Sequence, residues 1–160
     1  MESIPRTEPV KTQTQKRIYV ASSWRNVIQP AIVHALRSIG HEVYDFRAPA
    51  PGAKGFAWSE IDPAWQSWTT AQYREALKHP IAERGYGYDI SALRTCDTCV
   101  LVLPSGRSAS WEFGYSMGQG KAGFVFQLGQ CEPELMYREA TILGSMPELF
   151  DAFGEPGSVS

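Results

Sequence analysis

Thr98 to Leu103 (TCVLVL) is a continuous apolar run of strand length, and no other stretch restricts the fold as much. A strand with one wet face alternates apolar and polar residues. An unbroken run is the pattern of a parallel strand covered on both faces. Pro104-Ser105-Gly106 stops the run. Ser108 or Ser110 is expected to cap a following helix, Gly118 and Gly120 to end it, and Gly123-Phe-Val-Phe126 to open the next strand. In open α/β sheets ligands sit at the carboxyl ends of strands, in the turns that lead into helices. Glu112 is expected in the first turn or so of such a helix, which is the reason to look for chemistry there.

The rest of the chain repeats this alternation. Arg17-Ile-Tyr-Val-Ala21 reads as a first strand and Ser22-Ser-Trp-Arg-Asn26 as its loop, with Asn26 a helix cap. Val27, Ala31, Ile32, Ala35, Leu36 and Ile39 recur at three- and four-residue steps, the period of an amphipathic helix that Gly40 stops. Glu42 to Phe46 is the second strand, so the first unit is βαβ with a right-handed crossover. Arg47 to Thr70 is long and rich in Pro, Gly and Trp (Trp58, Trp65, Trp68), as expected of a functional loop or one with short helical turns of its own. Thr70 to Lys78 reads as a short helix, Ile81 to Thr95 as a second one loosened by Gly85 and Gly87, and Gly123 to Leu128 as the fourth strand. A fifth strand is placed near Ala140 to Leu143, and a last helix opens at Ser145 with Pro147 inside its start.

The sum is a single α/β domain over 16–153: a flavodoxin-like, Rossmann-like doubly wound sheet of about five parallel strands. A polar lead-in over 1–15 and a tail over 154–160 are expected to be flexible. The first strand ends in ASSWRN rather than G-x-G-x-x-G, and there is no Walker motif, so ordinary NAD or ATP binding has no support. A net charge of −2 argues against a broad nucleic-acid or membrane-surface role. No apolar run approaches the roughly 18 residues of a membrane span, and the expectation is a soluble, cytoplasmic protein. Cys96, Cys99 and Cys131 are odd in number, against a disulfide framework; Cys96-Asp-Thr-Cys99 lacks the second ligand pair of a zinc site and reads as two core thiols. His34, His41 and His79 are scattered and receive no role, and neither metal nor cofactor is expected.

If the topology holds, three positions converge. Tyr19 lies in the first strand, beside the third; Glu112 starts the helix after the third; Asp89 lies in the helix before it. Free N–H groups and the helix dipole at its start would favour an ionised Glu112. An aimed carboxylate can attack an anomeric carbon and form a covalent sugar–enzyme intermediate. Asp89 could hold sugar hydroxyls or protonate a leaving base, and Tyr19 could orient the nucleophile. Each also has a purely structural reading: a dipole-complementing Glu, a solvated or capping Asp, a core Tyr with a satisfied hydroxyl. Asp97 reads as a strand-entry turn residue.

Tyr19-Val-Ala-Ser-Ser-Trp24, Asp89-Ile-Ser-Ala-Leu-Arg-Thr-Cys-Asp97 and Trp111-Glu-Phe-Gly-Tyr-Ser-Met-Gly-Gln-Gly-Lys121 together resemble the nucleoside 2-deoxyribosyltransferase family, whose superfamily includes deoxynucleoside 5'-monophosphate N-glycosidases and hydroxymethyl-CMP hydrolases. The resemblance implies that Glu112 is the nucleophile, Asp89 a sugar contact and Tyr19 the residue that positions Glu112. It also implies a homo-oligomer, at least a dimer, whose sites a neighbour completes. Gly106 stands where the transferases carry an aspartate at the nucleobase end, and the turn is shorter. Monophosphate-hydrolysing relatives have a serine-bearing phosphate loop there. Ser105, Arg107, Ser108 and Ser110 offer hydroxyls and a guanidinium fork that suit a phosphate, and Arg25 adds a second positive charge. Ser22 and Ser23 fall in the same substrate-facing loop as Trp24, and Trp24 or Trp58 could stack on a base. The expectation is thus cleavage or transfer at the N-glycosidic bond of a nucleoside monophosphate or nucleoside, with hydrolysis preferred. The competing readings are a non-catalytic nucleotide sensor and a flavodoxin-like redox protein.

Overall fold

A computed structural model describes residues 13–159. Most of the expected lead-in, 1–12, therefore lies outside the described residues. Five parallel strands form one sheet in the order β2-β1-β3-β4-β5. They are β1 (Arg17–Ala21), β2 (Glu42–Asp45), β3 (Thr98–Val102), β4 (Ala122–Phe126) and β5 (Thr141–Leu143). The helices are α1 (Gln29–Ile39), α2 (Thr70–Ala76), α3 (Pro80–Thr95), α4 (Arg107–Gly118) and α5 (Met146–Phe153). This is the doubly wound α/β sheet that the alternation predicts, with β3 buried along its whole length at the centre.

The two-residue period of the strands sorts the core into two halves. Ile18, Val20, Val100 and Val102 face a core shared with Leu36 of α1 and Phe153 of α5. Tyr19, Ala21, Cys99 and Leu101 face the opposite way, into a core shared with Leu93 of α3 and Phe113 of α4. Parallel register sets Tyr19 beside Tyr44 of β2 on one side and Cys99 of β3 on the other. The chain order reverses between β1 and β3, and in sheets of this kind the carboxyl ends of the strands at such a reversal are where ligands bind.

Local expectations hold in part. α3 is one uninterrupted helix rather than a loosened piece. Gly85 does not break it; the ring of Phe56 packs there, and a Cβ would lie 2.9 Å from Phe56 Cβ. β2 stops at Asp45 and β4 at Phe126, each short of its expected end. The loop after β2 does carry helical turns of its own, at Trp58–Glu60 and Trp65–Ser67. Asp97 accepts from the Arg17 N–H at 3.0 Å and serves the strand entry. The tail expected to be mobile is docked instead. Val159 is buried, its N–H donates to Ile39 O, and it bridges to Gln13. Cys96 and Cys99 are buried free thiols. Among the described residues no helix is long and apolar enough to cross a membrane.

Candidate active site

Four side chains from four elements meet on the α3–α4 side of the sheet. Tyr19, in the middle of β1, is fully buried. Its ring stacks on that of Tyr44, with centroids 5.1 Å apart and planes at 22°. The Tyr44 hydroxyl donates to Asp89 Oδ1 at 2.6 Å. Helices α3 and α4 pack on each other and both touch β1, which brings Glu112 of α4 to the same place. Asp89 and Glu112 are half-buried, so each keeps some contact with solvent.

Burial and neighbouring charge act together on these groups. Burial first, and then the charge of Asp89, push Glu112 up to about 8, against the opposing pull of the Tyr19 hydroxyl. Asp89 is also raised, by burial, with the Tyr44 hydroxyl working the other way. Both phenols lie above their usual range. For Tyr19 the causes are burial and then Glu112 and Asp89; for Tyr44 they are burial and then its bond to Asp89. Both tyrosines are therefore protonated donors at neutral pH. Tyr19 Oη is buried without a formed hydrogen bond, although it is near enough to influence Glu112. We read it as a donor poised toward the carboxyl and not yet spent on it.

Two expectations about Glu112 are corrected. Neither Ser108 nor Ser110 caps α4; the helix begins at Arg107 after an extended Gly106, with no side-chain cap. Both serines lie inside the first turn and are exposed, and Ser110 Oγ donates back to Gly106 O at 3.2 Å. Glu112 consequently sits in the second turn, where the dipole of the helix start has faded. Burial and the neighbouring Asp89 dominate, and they favour the protonated form at neutral pH rather than the ionised one.

The loops at the carboxyl ends of β1 and β3 are bound together. Ser22 Oγ donates to Val102 O at 2.9 Å, and Asn26 Nδ2 donates to Val102 O at 3.3 Å and Pro104 O at 3.0 Å. Asn26 Oδ1 accepts from the N–H groups of Ile28 and Gln29 at 2.8 and 2.9 Å, and so caps α1 from just outside it. Ser23 Oγ accepts from the Arg25 N–H at 3.2 Å. Arg47 completes the arrangement. Its Nη2 donates to the carbonyls of Ser23, Trp24 and Asn26 at 3.3, 3.1 and 2.8 Å. Its guanidinium also lies 5.5 Å from the Trp24 ring centre.

Trp24 is 51% exposed, although Phe46 packs edge-to-face with it and the Arg47 guanidinium lies over its ring. Gly55 is required beside it, because a Cβ there would meet the Trp24 ring at 2.3 Å. Trp58 is engaged otherwise, packed among Phe56, Trp68 and Tyr73. Arg25 and Arg107 are exposed, and neither side chain makes a hydrogen bond among the described residues. With Ser105, Arg107 borders the uncapped first turn of α4, whose free N–H groups can receive an anion. A hollow of about 290 Å³ has Asp89 in its wall with Phe46, Phe56 and Tyr88, but not Glu112. The larger groove, about 670 Å³, follows the outer edge of β2 and touches Tyr44 without reaching either carboxyl.

Two residues of this site escaped sequence reasoning. Tyr44 and Arg47 flank the end of β2, and each acts through a partner far away in the chain. The alternation of Glu42-Val-Tyr-Asp45 sends Tyr44 to the face opposite Val43, but nothing local says that Tyr19 lies beside it. No protein-family model matches the chain, and no curated protein matches it at a significant level.

Proposed function

We propose that the protein breaks the N-glycosidic bond of a nucleoside 5'-monophosphate or nucleoside through a covalent glycosyl–Glu112 intermediate, with water the preferred acceptor. The observation that carries this reading is the pairing of two half-buried carboxyls, Glu112 and Asp89, each attended by a tyrosine hydroxyl at the crossover of the sheet. In the first step an ionised Glu112 oxygen bonds to the anomeric carbon, and the electron pair of the carbon–nitrogen bond leaves with the base, which takes up a proton. In the second, water bonds to that carbon and frees Glu112 as its carboxylate; the proton released by the water passes to solvent. Asp89 accepts from sugar hydroxyls. The poised Tyr19 hydroxyl donates to Glu112 as the carboxylate is released.

Support for a phosphate comes from Arg107, Arg25 and the uncapped start of α4; support for a stacked base comes from the half-exposed ring of Trp24. By its resemblance the chain is also expected to self-associate, which light scattering of the purified protein tests.

The raised Glu112 favours a second reading, a nucleotide-binding sensor in which a neutral Glu112 donates to a ribose oxygen. One experiment separates the two. The protein is incubated with a panel of nucleosides and monophosphates, and released base is followed by chromatography. An enzyme releases base, and Glu112→Ala abolishes release while ligand binding survives. Binding without release across the panel favours the sensor and overturns the proposal.

A further inference from the structure

We propose that Tyr44 is a positioning residue: through its hydroxyl on Asp89 it holds the charge on that carboxyl and so leaves the proton on the neighbouring Glu112. The purpose of this placement rests on the proposed glycosyl chemistry, whereas the hydrogen bond and its consequence do not.

The bond from Tyr44 Oη to Asp89 Oδ1 is 2.6 Å long, in the range of hydroxyl donors to charged oxygens. Tyr44 has little freedom to leave it. Its backbone is paired with Tyr19 in the sheet, its ring is stacked on Tyr19, and it packs against the α3–α4 core. A phenol has one proton to donate, and here that proton is committed to Asp89. The competing donor, Tyr19, is poised toward Glu112 but unbonded. The charge of Asp89 reaches Glu112, so stabilising the Asp89 anion favours the proton on Glu112. A formed bond at Asp89 against an unformed one at Glu112 puts the charge on Asp89.

The surroundings do not undo this. Asp45 on β2 and Cys99 on β3 are the other titratable neighbours within the sheet, and Lys54, Glu60 and Arg84 share the nearby hollow with Asp89. Among the described residues, none of these makes a hydrogen bond to either carboxyl. A charged Asp89 is ready to accept sugar hydroxyls. Once it does so its charge is spread onto the ligand, and Glu112 ionises more readily. Tyr44 would thereby keep the nucleophile neutral in the empty site and let the substrate release it.

The test is a carbon-13 titration of the side-chain carboxyls of the full chain, with Tyr44→Phe compared to the parent. The phenylalanine ring preserves the stack, and circular dichroism checks the fold. Loss of a charged hydrogen bond is expected to raise the Asp89 midpoint by about one to two pH units and to lower that of Glu112. In an Asp89→Asn background, Tyr44→Phe is expected to leave the Glu112 midpoint where it was. Replacing Tyr44 with 3-fluorotyrosine, a stronger donor, is expected to move Asp89 the other way, and keeps the question decidable if the phenylalanine variant folds poorly. Midpoints that do not respond to these changes overturn the proposal, as does a Glu112 shift that persists without Asp89. No turnover enters these readings. An inactive protein therefore leaves them standing, and an active one with unmoved midpoints loses only the role of Tyr44.

Discussion

Replacing Glu112 with Gln removes a charge that the fold resists, so the variant is expected to gain stability as pH rises. In the unfolded chain Glu112 ionises near its ordinary value of 4.5, and in the folded protein near 8. Below about 4.5 both states are protonated and burial of the carboxyl costs nothing extra. Between 4.5 and about 8 the unfolded chain gains by ionising while the folded one does not, so stability falls. Above about 8 the loss is complete. The gap between the two values corresponds to roughly 5 kcal/mol at about 1.36 kcal/mol per pH unit. Because Glu112 keeps partial contact with solvent and shares its charge with Asp89, about half of that, roughly 2–3 kcal/mol, is the expected effect.

Glutamine matches glutamate in shape and, like the protonated acid, can donate. The expected difference between variant and parent is therefore within about 0.5 kcal/mol at pH 4.5 and grows to roughly 2–3 kcal/mol in favour of the variant by pH 9. For a chain of this length that is a rise of about 5–10 °C in melting temperature. Urea unfolding under reducing conditions, followed by circular dichroism at several pH values, reads the difference without any substrate. A constant offset from pH 4.5 to 9, or a variant less stable than its parent at pH 9, would refute the reasoning. Glu112 would then be better solvated, or better paired, than its surroundings indicate.

Three other perturbations probe the supports of the site. If the protein turns over substrate, kcat/KM is expected to rise with pH through about 8, and Tyr19→Phe to move that limb further alkaline by a fraction of a pH unit, roughly half, because the hydroxyl that opposes the rise is near Glu112 but makes no formed hydrogen bond. Arg47→Ala frees three carbonyls and is expected to cost about 2–3 kcal/mol in urea unfolding. Arg47→Lys restores little, because an ammonium cannot reproduce the planar fork. Gly85→Ala drives a Cβ into Phe56 and is expected to cost about 1–3 kcal/mol. Gly87→Ala, which meets open space on the same helix, is expected to stabilise by about 0.5–1 kcal/mol, and thermal melts of the pair compare them directly.

The sheet was legible in the sequence because its information is local. A run such as Thr98-Cys-Val-Leu-Val carries its burial on its own face pattern, and the helix of Ile32, Leu36 and Ile39 carries its period. The meeting of Tyr19, Asp89 and Glu112 followed from topology together with the family resemblance, since only those can join residues so far apart. What stayed hidden was register. Whether Tyr44 lies beside Tyr19 or two residues along depends on the pairing of Arg17 with Glu42, which neither strand specifies alone. Arg47 was hidden for a related reason. Its partners are main-chain carbonyls of another loop, and carbonyls leave no mark in a sequence. The tail was misjudged because Gly154 to Ser158 has the composition of a loose end, while one apolar residue, Val159, holds it down.

The reversed expectation for Glu112 is a matter of magnitudes. A carboxylate at an exposed helix start gains about 0.3–1 kcal/mol from the dipole, and that gain fades within the first turn. Burial beside a second carboxyl acts on the scale of several kcal/mol and in the opposite direction. Sequence patterns report the small local effect, and the large one appears only when α3 and α4 close over β1. The same closure that spoils the local rule also makes the site chemically useful. A carboxyl that would be an inert anion in water becomes a group whose charge is set by a neighbouring Asp and two tyrosines, and hence by any ligand that engages them.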